Sequence, residues 1–410
     1  MTTQLFIESI LLLILKLVNY CSSCLYDSNH PFGLSFQSNI CSGCFTHKEK
    51  YTINWEKKYI ELVDFIAKIT KKSDLNKYNC IVPIQGDAED YYVVENVLSL
   101  GLRPLLVHVN DHFSNNIGWH NLHNLMTTFD LDCQTFSPEI NSYKELVKSS
   151  IRKYRHVLWP AIALRTSYPV HVAKERNIQL IIWGQNQAIE QVGKFSHYNN
   201  VQMSKWSRLE HDLFSVDCQK LIGNGTEVEV DKLHYYNYPL IRQISTKGIV
   251  GIYLSNYLLW DPLLQNSSMT KYGFMPQKSS STFDPFERAG SSVYYGIHDL
   301  FKYMRCGYRK CTDHLSREIR HKRLDRNTAL ELNKHFTSSL VNLNPFFDWL
   351  GLTSSGKEFL KIKLLQSVSH LIEESKVEVL IEPKLPKKIK DLLPSSFSPS
   401  QEFCSYFKGI

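Results

Sequence analysis

Four cysteines stand in two close pairs, Cys21-Ser-Ser-Cys24 and Cys41-Ser-Gly-Cys44, with 16 residues between the pairs. Each pair can present two thiolates from one tight turn, and four soft ligands at this spacing suit a structural zinc ion held in a tetrahedron. A closed site of that kind holds a small knuckle together where no apolar core could. Disulfides are the competing use of the same thiols. The other six cysteines (80, 133, 218, 306, 311 and 404) are scattered, as in a reducing compartment, which favours the metal.

A second chemical group follows the apolar run 80–84: Gln85-Gly86-Asp87-Ala88-Glu89-Asp90. A loop between a strand and its helix usually presents backbone N–H groups and a helix N-terminus to a phosphate. Gly86 would permit the close approach. Three acids in four residues would repel a phosphate unless a metal ion intervened. The alternative is that Glu89 and Asp90 cap the helix and complement its dipole, and the loop chemistry alone leaves both uses open. His197 and His211, each near acids or lysine, are candidate general acid/base groups, with a structural, hydrogen-bonded histidine as the competing reading. Arg317 and Arg320 suit either phosphate contacts or solvent. Thr312-Asp313 before a helix is also an ordinary N-cap. Cys306 and Cys311 read better as packing thiols than as ligands.

These groups need a frame, and the hydrophobic pattern supplies one. A knuckle at 21–50 leads into a helix at 51–72. Short apolar runs then alternate with helical stretches: strands at 80–84, 104–109, 133–136 and 179–183, helices at 90–100, 117–129, 142–154 and 170–176. Such alternation implies right-handed crossovers and a parallel sheet with helices on both faces. Past about residue 235 the pattern weakens. The run 249–254 is apolar, 267–288 reads as a loop, 292–305 and 313–336 read as helices, and 382–399 reads as an irregular tail. The expected division is an apolar extension at 1–20, the knuckle at 21–50, an α/β domain at 51–240, a mostly helical region at 241–345 and an extension or tail at 346–410.

A chain of 410 residues with 43 % hydrophobic and 21 % charged residues is ordinary for a soluble globular protein. A formal charge of +7 is diffuse at this length; it permits anionic ligands but makes no nucleic-acid footprint. The apolar stretch at 6–18 is interrupted by Glu8 and Lys16 and is too short to span a bilayer, so no stable membrane span and a cytoplasmic location are expected.

The order of segments carries a resemblance. Two CxxC pairs flank Pro31-Phe32-Gly33-Leu34-Ser35-Phe36, a helix follows, and then comes Tyr78-Asn79-Cys80-Ile81-Val82-Pro83-Ile84. This resembles the N-acetyl sugar amidotransferase family of the PP-loop ATP pyrophosphatase superfamily. In that family the strand is followed by Ser-Gly-Gly-Lys-Asp-Ser and then Tyr-Tyr. Here Gly86 and Tyr91-Tyr92 match, Glu89 replaces an aspartate, and the first serine, second glycine, lysine and last serine are absent. Segments at 107–111, 181–186, 193–197, 210–212, 253–262, 282–284, 298–299 and 307–320 continue the likeness, which covers roughly residues 20–335.

The resemblance implies a PP-loop, HUP-like fold and a specific reaction. ATP adenylates the carbonyl oxygen of a sugar N-acetyl group, ammonia attacks, AMP leaves, and an acetamidino sugar of a bacterial surface polysaccharide results. It implies ATP, Mg2+ and structural zinc as cofactors, an N-acetylated nucleotide sugar as substrate, and ammonia from a partner glutaminase with a cyclase-like barrel subunit. On this reading Glu89, Asp90, His197, His211 and Asp313 are the catalytic candidates. Gln85, Gly86, Asp87, Asn110, Gly184, Gln185, Asn186 and Arg320 would face the nucleotide, and Cys21, Cys24, Cys41 and Cys44 the zinc. Two other classes remain open. One is a non-catalytic relative that acts as a binding or scaffold subunit. The other is a tRNA-thiolation enzyme, which would need a sulfur-carrying cysteine and a basic RNA face.

Overall fold

The computed structural model describes residues 18–70, 77–213, 215–222, 228–373 and 382–397. Residues 6–17 of the apolar stretch, the end of the tail and Cys404 lie outside the described residues.

The knuckle begins as a two-residue antiparallel hairpin, β1 (Phe36–Gln37) and β2 (Ile40–Cys41), turned by Ser38 and Asn39 in left-handed backbone. It continues into α1 (Ser42–Glu49), so the second cysteine pair sits where a strand becomes a helix. Helix α2 (Trp55–Thr70) then buries Leu62 and Ile66.

The body is a five-stranded parallel sheet in the order β5-β4-β3-β6-β7. Its strands are β3 (Cys80–Ile84), β4 (Pro104–Val109), β5 (Cys133–Phe136), β6 (Leu180–Trp183) and β7 (Val250–Tyr253). Helices α3 (Ala88–Ser99), α4 (Asn116–Phe129), α5 (Ile140–Tyr154) and α6 (Trp159–Arg176) fill the crossovers. The central strands are near-continuous apolar runs because both faces are covered. Ile81, Leu105, Val107, Val109 and Ile181 face Leu146, Val147 and Leu164 of α5 and α6. Val82, Ile84, Leu106, Leu180 and Ile182 face Val94, Val97, Leu122 and Leu125 of α3 and α4.

The C-terminal region is mostly helical, as expected, but it is not set apart. Helices α7 (Tyr295–Cys306), α8 (Lys310–Arg320), α9 (Arg326–Thr337) and α10 (Asn344–Trp349) pack into the sheet's two cores. The expected helix at 313–336 is broken, because Lys322 takes a left-handed φ of 59° and Asp325 starts a new helix by accepting from the Thr328 amide at 3.0 Å. A boundary at 240 would cut the sheet, since β7 pairs with β6 along its whole length. Of the two uses expected for 346–410, the start is an extension of the packed body: Phe346, Phe347 and Trp349 are at most 2 % exposed, so aromatic burial anchors this stretch.

One backbone crossing joins the C-terminal region to the sheet. The Asn115 amide donates to the Gly290 carbonyl at 2.8 Å, and Asn115 Oδ1 accepts from the Gly118 amide at 3.0 Å. A Cβ on Gly118 would lie 2.2 Å from the Gly290 oxygen, which is backbone and cannot swing away. Gly118→Ala should therefore cost about 1–3 kcal/mol, the usual range for overpacking. Urea unfolding with an unchanged midpoint would show that the crossing is looser than this.

Candidate functional site at the carboxyl ends of β3 and β6

Strand order reverses between β3 and β6: β4 and β5 lie on one side, β6 and β7 on the other. Ligands of open parallel sheets bind outside the carboxyl ends of strands at such a switch point. The loop 85–87 leaves β3 there, and Gly184 and Gln185 leave β6 beside it. Gly86 has φ +87°, and a Cβ on it would meet the backbone nitrogen of Leu122 at 2.9 Å. The glycine is required by α4, which packs directly on the loop.

The loop's amides converge on one atom. Asp90 Oδ2 accepts from the N–H groups of Gln85 at 2.6 Å, Gly86 at 2.9 Å and Asp87 at 3.0 Å. Gln85, Gly86 and Asp87 were expected to face a nucleotide; their amides are instead spent on a side chain of the same chain. Glu89 reaches across to the neighbouring loop, where its Oε1 accepts from the Gln185 amide at 2.8 Å. Gly184 leaves the room for it, because a Cβ there would fall 2.1 Å from that oxygen. Asp87 accepts from the Ser291 hydroxyl at 2.5 Å. Burial pushes Glu89 up to about 8, against the pull of the Gln185 amide. Burial and the Asp87 charge push Asp90 up to about 7, against its three amide donors. The helix-capping use is thus realised by Asp90 but not by Glu89, and it runs through the same amides that a phosphate would need.

The other candidates are distributed around this loop. Asn110, at the end of β4, accepts from the His112 amide at 3.0 Å and donates to Ser137 at 3.3 Å. Asn186 caps the turn after β6 through the Ala188 amide at 3.2 Å and takes its own amide partner from Ser255 at 2.8 Å. His197 is buried against Trp55 and Glu190; burial and the charges of Lys50 and Lys58 hold it down at about 3. His211 stacks on Phe32 at 4.2 Å, and burial holds it at about 4. Neither imidazole is poised to exchange protons near neutral pH. Asp313 is held in its ionised form. Burial alone would raise it, but Lys302 and Lys310 hold it at about 2, and it accepts from the Tyr26 hydroxyl at 3.0 Å and pairs with Lys302.

Gln185, Asp313 and Arg320 do line one polar cavity, together with Glu287, Lys310 and Arg317. Its volume is about 60 Å³, well below the roughly 300 Å³ at which ligand pockets usually begin. Its walls are held by two ion pairs, Lys310 with Glu287 at 2.6 Å and Arg317 with Asp284 at 2.6 Å, and by a hydrogen bond between His314 and Glu287 at 2.7 Å. Asp284, Glu287 and His314 bring ligand atoms within 4.8 Å of one another, but these neighbouring cations already neutralise them. Sequence reasoning missed Glu287, Lys310 and Ser291. Only tertiary contact brings them to the loop, and no local pattern announces it.

The four paired cysteines meet. Their sulfurs lie within 4.8 Å of one another, all four are buried, and none is in a disulfide. Cys21 and Cys44 are 3.9 Å apart and Cys24 and Cys41 3.7 Å. A tetrahedron with metal–sulfur bonds of about 2.3 Å has edges of about 3.8 Å, so the set fits an ion without rearrangement. The amides of Ser23, Cys24 and Cys41 each approach Cys21 Sγ at 3.4 Å, as donors to a thiolate would. Arg320, expected at a nucleotide, lies on this cluster instead. Its Nε is 3.4 Å from Cys44 Sγ and its Nη2 3.7 Å from Cys41 Sγ, while Nη1 donates to the Glu190 and Gln191 carbonyls at 3.1 and 2.9 Å. Cys306 and Cys311 stay outside the set, bonded to Lys302 and Tyr308 carbonyls and to Asn333 and Thr337 respectively.

Among the described residues no helix is long and apolar enough to cross a membrane. No curated protein matches the chain. Two solved structures are similar in outline. NMN synthetase from Francisella tularensis has 12 % identity and a TM-score of 0.27, with 48 % of this chain and 93 % of that one covered. The NH3-dependent NAD synthetase from Campylobacter jejuni subsp. jejuni NCTC 11168, solved with a nitrate ion, has 14 % identity and a TM-score of 0.27, with 55 % and 100 % covered. At these scores neither bears on what this chain does. Residues 266–379, the segment that supplies Ser291, Glu287, Lys310 and Arg320, match the family model described as the C-terminal domain of LPS biosynthesis protein WbpG-like proteins.

Proposed function

We propose that the chain serves bacterial surface-polysaccharide (lipopolysaccharide) biosynthesis as an ATP-dependent amidotransferase. It would convert a sugar N-acetyl group to an acetamidino group with ammonia from a partner glutaminase. The observation that carries this is the match of residues 266–379 to the lipopolysaccharide-biosynthesis domain, in a segment that packs directly on the loop after β3. In this reading the four cysteines hold structural zinc. Glu89 and Asp90 are the hard oxygen donors that would suit Mg2+, but they are engaged at different places, Glu89 by the Gln185 amide and Asp90 by the loop amides, and do not converge on one ion. Those loop amides do not fit a nucleotide phosphate while Asp90 occupies them.

That same occupancy favours a second reading, a non-catalytic relative that binds or scaffolds a surface-sugar enzyme. Mass spectrometry separates the two. The purified chain is incubated with ATP, Mg2+, ammonium and a panel of N-acetylated nucleotide sugars. Amidotransferase activity replaces one sugar oxygen by NH and releases AMP in equal amount. Absence of both products across the panel, with and without a glutaminase partner, leaves the scaffold reading.

A further inference from the structure

Away from the loop after β3, three side chains with metal-ligating atoms meet on α6. His171 and Glu175 stand four residues apart on that helix and so share one face. His234 comes to them from a short 3-10 turn, Val230–Tyr236, that packs on α6. Ligand atoms of the three lie within 4.8 Å of one another, and the two imidazole rings are 4.7 Å apart between centroids. Packing fixes this meeting. Leu233 and Tyr236 are buried in the same core as α6, and the Ser167 hydroxyl donates to the Tyr235 carbonyl. His234 is thereby held beside His171 while staying exposed.

The hydrogen bonding of His171 says what the three would hold. Its ring is 2 % exposed, and its Nε2 lies 2.8 Å from the Asn237 carbonyl oxygen. A carbonyl only accepts, so Nε2 carries the proton and Nδ1 the lone pair. Nδ1 is buried and has no hydrogen-bond partner. Buried polar atoms are nearly always satisfied, and leaving one unpaired is costly. An imidazole whose far N–H is tied to a backbone carbonyl is also the usual form of a metal-ligating histidine, because that bond fixes its tautomer and direction. Glu175 brings the negative charge. Among the described residues it makes no ion pair, whereas Lys310 and Arg317 neutralise Glu287 and Asp284.

Two nitrogens and a carboxylate oxygen suit Zn2+, whereas Mg2+ prefers oxygen alone. A zinc tetrahedron with bonds of about 2.0–2.2 Å has edges of about 3.3–3.6 Å. From a limit of 4.8 Å the trio has to draw in by roughly an ångström, which rotation of the exposed Glu175 and His234 side chains supplies.

We propose that His171, Glu175 and His234 form a second zinc site, separate from the cysteine cluster, that clips the 230–236 turn to α6 and leaves one coordination position to water. The ion would give the buried Nδ1 of His171 its partner. The site does not depend on the sugar chemistry proposed above.

The test is calorimetric titration of the full chain with Zn2+ alone. The protein is first gel-filtered from a brief chelator wash, which clears an exposed site ahead of a buried one. Wild type is compared with His234→Ala and Glu175→Gln, changes at exposed positions that leave the four cysteines and His171 in place. Wild type should take up one more Zn2+ per chain than His234→Ala. Glu175→Gln should weaken that equivalent by more than about tenfold, since even the outer partners of a bound metal are worth about 10–100-fold. Zn2+ should also raise the thermal midpoint of wild type by more than that of His234→Ala, as a ligand bound by the folded chain does. Equal uptake and equal affinity in wild type and His234→Ala overturn the proposal, because any zinc then binds elsewhere. An unchanged affinity in Glu175→Gln overturns the three-ligand site.

Discussion

On the proposal that the four cysteines hold zinc, Cys41→Ser is expected to release the ion and to lower the stability of the whole chain by several kcal/mol. The size follows from how little else holds residues 18–50. Their buried cluster consists of the four cysteines, Tyr26 and, from the C-terminal region, Cys306 and Tyr308. That is too small an apolar core to offset the ordering of about thirty residues at roughly 1–2 kcal/mol each. The loss also spreads. Four thiolates around a divalent ion carry two net negative charges, and Arg320 is the buried cation lying against them. With the ion gone and the thiols protonated, that guanidinium keeps its carbonyl partners, the Tyr26 ring and the field of Glu190 but loses the negative charge lying against it, a costly change for a buried cation. Because Arg320 also grips the 190–191 turn, the turn after β6 should loosen with it. Metal analysis should fall from one zinc per wild-type chain to well below one, and limited proteolysis should open residues 20–50 and then 190–200. A variant that keeps its zinc and its thermal midpoint would mean that three thiols suffice and that the knuckle is braced from elsewhere.

The frame of this molecule was readable because local signals agreed. The strands 80–84, 104–109 and 133–136 are apolar or β-rich runs between turn residues, and each forms where the pattern places it. The fifth strand was seen only as an apolar run. Val250–Tyr253 is short, contains Gly251, and is defined by pairing with β6 across about seventy residues. The cysteine cluster was legible because ligand spacing is itself a local signal, and the capping use of Asp90 was legible for the same reason. Arg320 was not. A basic residue late in a helix suits phosphate, solvent or the helix terminus equally, and only the long-range return of α8 to the knuckle decides among them. The histidines were open in sequence between proton transfer and a structural role, and only their tertiary burial, which lowers both rings, bears on the choice. Ser291 on Asp87 joins residues about two hundred positions apart, and no pattern in either segment anticipates it.

Arg309→Met is expected to cost about 3–5 kcal/mol, the range for breaking a buried ion pair from one side. Arg309 is 0 % exposed, with its Nε 2.9 Å from Asp299 Oδ2 and its Nη1 on the Thr337 and Ser339 carbonyls at 3.1 and 2.7 Å. One side chain therefore ties α7 to the start of α8 and to the end of α9. Asp299 has a second task, since its Oδ1 accepts from the Lys310 amide at 2.6 Å and so fixes the first turn of α8. Methionine fills part of the volume but leaves the Asp299 charge buried and two carbonyls without donors. Asp299→Asn keeps an acceptor for Lys310 and should cost less. In the double variant no lone carboxylate remains, so its cost should fall short of the sum of the singles by about 1–3 kcal/mol. Guanidinium unfolding of the four proteins measures the cycle. Strict additivity, or an Arg309→Met loss within about 1 kcal/mol, would show that water reaches this pair and that the three helices are held by apolar packing instead.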